Sequence, residues 1–305
     1  MKILFICSNL IGDTILSSGV LKHLINLHKE AKITLVIGPT AAPLFKNYKN
    51  VEKVIIFKKK KFNLHWFNIF AKIYSIQWDI VVDFRSSILT YFLKHKTKYI
   101  FKKKIGMHHI DQLNQSFGFL CSNLFIPTSF EEENKSNSFI EKSFKHIIVF
   151  PGGNWKPKIW SVENYNAVME YISRKHEKIK FILVGSKIEK DKYYDKLVKG
   201  IDKKLIIDLF GFNLTLTSAF MKKSDLFIGN DSGLMHLAVS SQVKVIALFG
   251  PTDDKTYAPY GNANIVIRTD ESVDYFKSIN IDKNKSYMKS IKVDTVIETI
   301  ERLLK

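Results

Sequence analysis

The sequence predicts an α/β protein built from two doubly wound domains. Three observations point there. The chain has 305 residues, about two domains at roughly 150 residues each. Short β-branched runs alternate with amphipathic stretches, the pattern of a parallel sheet covered by helices. That alternation breaks once, in a polar stretch at 127–145, and then restarts.

The elements follow in order. Residues 2–7 read as a buried strand. Residues 13–28 read as a helix with Ile15, Leu16, Val20, Leu21, Leu24 and Leu27 on one face. Residues 32–37 form a second strand, ended by Gly38-Pro39. Further strands are expected at 54–57 and 79–84, the latter after a helix around 65–76. Residues 127–145 have no apolar period and read as a linker. Strands then recur at 146–150, 180–184, 205–208, 225–229 and 244–249, with helices between and a last helix near 293–304. Domains at 1–140 and 146–305 are expected, the last helix being a candidate to pack back on the first domain.

Composition narrows the class. Hydrophobic content of 46% and charged content of 25% suit a soluble globular chain, not a disordered or fibrous one. Lys and Arg number 47 against 29 Asp and Glu, a net charge of +18. Only Arg85, Arg174, Arg268 and Arg302 are arginines. A lysine surface attracts anionic partners diffusely and lacks the guanidinium forks that read bases, so no nucleic-acid partner is expected. Cys7 and Cys121 form no C-x-x-C, which argues against a disulfide framework or a zinc site. No apolar run approaches the 18 or so residues of a membrane span. The first apolar run stops at Ser8-Asn9 before any cleavage-like site, and Ile6 stands where a lipoprotein has a small residue. A cytoplasmic protein that begins with a buried strand is the expectation.

Open α/β sheets bind ligands at the carboxyl ends of their strands, and four such loops carry suitable residues. The first holds Gly12 and Asp13 at the start of a helix, where Asp13 reads either as an N-cap or as a functional carboxylate. It lacks the G-x-G-x-x-G of dinucleotide folds. The second is Pro151-Gly152-Gly153-Asn154-Trp155-Lys156-Pro157-Lys158, a loop whose N–H groups and lysines can cradle phosphate. The third places Glu189 just past a strand end. It can accept ribose hydroxyls, or simply complement a helix dipole. The fourth, Gly229-Asn230-Asp231-Ser232-Gly233, runs into a helix whose N-terminus attracts anions, with His236 on its first turns.

Together these residues resemble glycosyltransferase family 9, the lipopolysaccharide heptosyltransferase family. The resemblance is carried by residues 229–238 (GNDSGLMHLA) and 247–253 (ALFGPTD). It extends to Gly12-Asp13, Pro151-Gly152, Lys158-Ile159-Trp160 and Leu209-Phe210-Gly211. It implies a GT-B fold, two Rossmann-like domains facing each other across a cleft, the first binding acceptor and the second nucleotide sugar. It also implies inverting transfer without metal or cofactor, most simply of heptose from ADP-heptose to a lipopolysaccharide core acceptor. The chain has no D-x-D. Carried over residue by residue, Asp13 is the expected base and Lys158 the stabiliser of the leaving diphosphate. Glu189 is expected on the donor ribose and Asp231 on the donor sugar. Ser232 and Gly233 supply phosphate N–H groups, and Asn154 and His236 complete the donor set. Gly19 stands where many members have proline.

Lysines cluster at Lys58-Lys59-Lys60-Lys61, at Lys94, Lys96 and Lys98, and at Lys102-Lys103-Lys104. Phe57, Phe62, Trp66, Phe67, Phe70, Tyr91, Phe92, Tyr99 and Phe101 interleave them. This face is expected to dock peripherally on anionic lipid at the inner membrane, where the implied acceptor lies. The alternatives are a family member with another nucleotide sugar or acceptor, and a non-catalytic lipid- or RNA-binding protein on the same scaffold.

Overall fold

The computed structural model describes residues 1–58 and 65–304, which divide into two compact units, Met1–Pro127 and Thr128–Lys305. Lys59, Lys60, Lys61 and Phe62 of the basic face lie outside the described residues.

The first unit contains β1 (Lys2–Ile6), α1 (Ile11–Leu27), β2 (Lys32–Ile37), β3 (Val51–Ile56) and α2 (His65–Ile73). β4 (Trp78–Asp83), β5 (His95–Ile100) and α3 (His109–Phe117) complete it. Its described strands form a parallel sheet in the order β3-β2-β1-β4-β5. β1 is central, and Ile3, Leu4, Phe5 and Ile6 are fully buried, the continuous apolar run that a strand covered on both faces requires. Each such side chain contributes roughly 1.5–3 kcal/mol by leaving water. Cys7 is buried and unbridged.

α1 is buried on several sides, through Thr14, Ser17 and Ser18 as well as Ile15, Leu16, Val20, Leu21 and Leu24. Leu27, expected on the buried face, is exposed. Gly19 is explained by packing: a Cβ there would lie 1.8 Å from the Cys121 carbonyl oxygen. β5 was not anticipated. Its HKTKYI sequence reads as a basic cluster, and it is an edge strand, where lysines deter pairing with another chain.

The second unit begins with α4 (Phe130–Phe139) and β6 (Lys145–Phe150). It continues through α5 (Val162–Lys175), β7 (Ile179–Gly185), α6 (Lys187–Leu197), β8 (Ile206–Phe210), α7 (Leu214–Met221) and β9 (Leu226–Asn230). α8 (Gly233–Ser240), β10 (Lys244–Phe249), α9 (Asp254–Tyr257), β11 (Ile265–Arg268), α10 (Val273–Ser278) and α11 (Val293–Leu304) close it. Its described strands form a parallel sheet in the order β11-β10-β9-β6-β7-β8. Trp160, Tyr165, Phe181, Leu183, Ile228 and Ile246 lie in its core.

The stretch read as a linker is corrected: it holds α4. Ser129 caps this helix and Glu132 returns the bond to the Ser129 N–H, a full capping box. Buried Glu132 also accepts from the Thr215 hydroxyl of α7. Lys223 donates to Glu133 O at 2.8 Å, Ser136 Oγ at 2.7 Å and Asn137 Oδ1 at 2.6 Å. Polar bonds hold α4 in place, so no apolar period announces it. α11 buries Val296, Ile297 and Ile300 in the core of its own unit, and Glu301 accepts from Lys175 and His176 at the end of α5.

Candidate active site

In the second sheet the strand order reverses between β6 and β9, the place where open α/β sheets form a binding crevice. Asn230 ends β9 there and is fully buried. Its amide donates to Pro151 O at 3.2 Å and Gly152 O at 2.9 Å. Its Oδ1 accepts from Trp160 N and the Tyr165 hydroxyl, each at 3.0 Å. One side chain therefore fixes both ends of the 151–160 loop with its hydrogen-bonding capacity fully used. Ser286 Oγ donates to Ile159 O at 2.7 Å, and Tyr287 N to Pro157 O at 3.0 Å, so the turn carrying Lys158 is anchored on two sides.

Lys158 and Asp231, assigned from the sequence to leaving group and donor sugar, lie together. Lys158 Nζ is 3.0 Å from Asp231 Oδ2, with side chains only 13% and 9% exposed. Ser232 is the N-cap of α8 and accepts from Met235 N at 3.3 Å. Gly233 is the first residue of that helix, so its N–H is among those left without an intrahelical partner. His236 is buried on α8, 4% exposed, and Asn154 is exposed in the loop after β6.

Glu189 is the third residue of α6, in a capping box with Ser186. Its Oε2 accepts from Ser186 N at 2.7 Å and Ser186 Oγ at 2.8 Å, and its Oε1 accepts from Gly153 N at 2.8 Å. The carboxylate thus ties the β7–α6 turn to the loop bearing Lys158. Its approach is close enough that a Cβ on Gly152 would lie 2.0 Å from Oε1. A carboxylate has about four acceptor positions, so three bonds leave one for a ligand hydroxyl.

In the first unit the strand order reverses between β1 and β4. Asp13 lies there as the third residue of α1, and the N-cap position belongs to Leu10, which makes no side-chain cap bond. The N-cap reading of Asp13 is therefore corrected. Ser8 Oγ donates to Asp13 Oδ2 at 3.1 Å. Burial pushes the Asp13 carboxyl above its ordinary range, while the Ser8 hydrogen bond and the Lys103 charge pull part of the way back.

Asn230 and Ser8 were not singled out from the sequence. The signal for Asn230 was available, since an asparagine closing an apolar strand must find buried partners. Among the described residues no group of three or more His, Cys, Asp or Glu is placed to hold a metal ion.

Solved structures share this two-domain shape. A glycosyltransferase family 9 protein from Veillonella parvula superposes with a TM-score of 0.79 over 99% of this chain and 97% of its own, at 23% identity. Escherichia coli ADP-heptose LPS heptosyltransferase II does so with a TM-score of 0.73 over 100% and 98%, at 18% identity. The fold is therefore GT-B, with two α/β domains. In sequence, the model of glycosyltransferase family 9 (heptosyltransferase) matches residues 126–286, more than half of the chain, and the chain belongs to that family. Lipooligosaccharide heptosyltransferase 2 of Campylobacter jejuni is 27% identical over 100% of this chain and 99% of its own length.

Proposed function

We propose that this enzyme moves heptose from ADP-heptose to a lipopolysaccharide core acceptor by a single inverting displacement that needs no metal. The observation that carries the reading is the meeting of Lys158 with Asp231 and the α8 N-terminus at the β6/β9 crevice. A cation and helix-terminal N–H groups on one spot suit a diphosphate.

The acceptor hydroxyl oxygen attacks the anomeric carbon and its proton passes to Asp13, whose burial makes it a stronger base than an exposed aspartate. The bond from that carbon to the diphosphate oxygen breaks, and the electron pair leaves with ADP. Lys158 turns from Asp231 to the departing oxygens, and the N–H groups of Ser232 and Gly233 meet the same charge. Asp231, relieved of its cation, accepts sugar hydroxyls. Glu189 takes a ribose hydroxyl on its remaining acceptor position. Asn154 lies beside the phosphates, and buried His236 supports the α8 turn that faces the donor.

The first unit would bind the acceptor and the second the donor. We place the work at the cytoplasmic face of the inner membrane. Ile88, Tyr91, Phe92 and Ile105 are exposed apolar side chains, set among exposed Lys94, Lys96 and Lys102–Lys104. No helix among the described residues is long and apolar enough to cross a membrane. The test is turnover of a panel of ADP-, UDP- and GDP-sugars by purified protein, with and without a chelator. Consumption of ADP-heptose alone, unaffected by the chelator, is expected. Preference for another nucleotide sugar or loss of activity on chelation defeats the corresponding part.

A further inference from the structure

The loop after β4 carries a guanidinium whose buried Nε has no hydrogen-bond acceptor among the described residues. Ile6 of β1 pairs with Asp83 of β4, and Phe84 N donates to Ile6 O at 3.1 Å. Ser8 and Arg85 therefore leave neighbouring strands at one end of the sheet, where the strand order reverses. Asp83 is fully buried and shapes the turn. It accepts from Arg85 N at 2.8 Å, Ser87 N at 2.7 Å and Thr90 Oγ1 at 3.2 Å. Ser86, at φ 49°, donates its hydroxyl to Phe101 O at 2.7 Å. Both Asp83 oxygens are thus engaged by the loop, and neither accepts from the guanidinium.

The Arg85 guanidinium lies over two rings, 5.1 Å from the centroid of Phe57 and 5.2 Å from that of Trp66. Among the described residues its Nε is buried without a hydrogen-bond partner. Arg174 and Arg268, by contrast, are ion-paired with Glu170 and Asp254. Ring stacking alone would leave that Nε–H without an acceptor, which folded proteins avoid. It would also not explain arginine in a chain that otherwise uses lysine almost throughout. A planar guanidinium stacked on rings, in a residue only partly buried, is suited to contact with an oxyanion through its Nη groups.

We infer that Arg85 holds an oxyanion, phosphate or carboxylate, carried by the acceptor and presented beside the loop of Asp13. The word acceptor rests on the proposed transfer; the anion site stands on the geometry alone. Lys103, in the loop after neighbouring β5, already acts electrostatically on Asp13, so an anion approaching this end of the sheet meets a second cation.

The test uses the full chain labelled with 15N, whose four arginines give four Nε–H signals. Arg85→Lys identifies the Arg85 signal by its loss. If that variant misfolds, Trp66→Phe identifies it by the changed ring-current shift. Inorganic phosphate and acetate are titrated separately against chloride at matched ionic strength. The Arg85 signal should move saturably with one or both oxyanions, while the ion-paired Arg268 signal stays in place. Stronger binding of phosphate assigns a phosphoryl group, and stronger binding of acetate a carboxylate. A signal that stays still, or moves equally with chloride, overturns the proposal. A chain that shows the Arg85 shift yet consumes no nucleotide sugar defeats the transferase reading and leaves the anion site standing.

Discussion

Lys158 Nζ and Asp231 Oδ2 are 3.0 Å apart in a largely buried ion pair, although the two residues lie 73 positions apart in sequence. In the proposed transfer the pair has two arrangements. Without ligand the charges satisfy each other; with a diphosphate present, Lys158 has a stronger partner.

Lys158→Ala should lower turnover by ~10²-fold, the effect of removing one preorganised donor. It also leaves Asp231 buried without its cation, which destabilises by about 3–5 kcal/mol in well-buried pairs and less in this partly open one. Adding Asp231→Asn should restore melting temperature but not turnover. If the double variant recovers both, Lys158 has no part in the chemistry.

Asp13→Asn separates catalysis from stability. The folded carboxyl holds its proton more tightly than the unfolded one. Stability therefore falls as pH rises from the unfolded pKa through the raised folded one, and the penalty is complete at neutral pH. Asparagine removes that penalty, so the melting temperature at neutral pH should be unchanged or higher. Transfer should fall by ~10²–10⁴-fold. The acidic limb of the parent pH–rate profile should lie above the ordinary aspartate range. A limb at the ordinary range, or full activity in the variant, removes Asp13 as base.

Gly19→Ala places a methyl group against the Cys121 carbonyl oxygen. Backbone cannot yield as a side-chain tip does, so the first unit should lose at least about 1–3 kcal/mol. Thermal melting reads this directly, and an unchanged transition contradicts the packing.

Replacing Lys102, Lys103 and Lys104 with glutamine should weaken binding to anionic vesicles by about 1 kcal/mol per lysine near the surface. Ile105→Ser, at a side chain 99% exposed, should weaken it further without changing stability. Vesicle binding indifferent to both variants and to added salt leaves these residues as a solvated surface.

Much of this architecture is legible in the sequence because buried parallel strands are uninterrupted apolar runs. β1, β2, β6, β7, β9 and β10 announce themselves that way. β5 does not, since an edge strand rich in lysine carries no such run. α4 does not either, because Ser129, Glu132 and Lys223 secure it through polar bonds. The loops of the proposed donor site were readable as candidates from residue types at strand ends. The pairing of Lys158 with Asp231 and the stacking of Arg85 on Phe57 and Trp66 were not, because both join segments whose separation in sequence says nothing about distance.

The seat of α11 on α5 bears on how the protein is made. His176 and Glu301 are 125 residues apart, and their contact closes one side of the second core. At about 5–20 residues per second of synthesis, α5 leaves the ribosome roughly 6–25 s before the helix that covers it. The first unit, whose contacts are complete by Pro127, can fold during that interval. The second presents an uncovered apolar helix face until α11 emerges. Chaperone demand during translation should therefore fall mainly on the second unit.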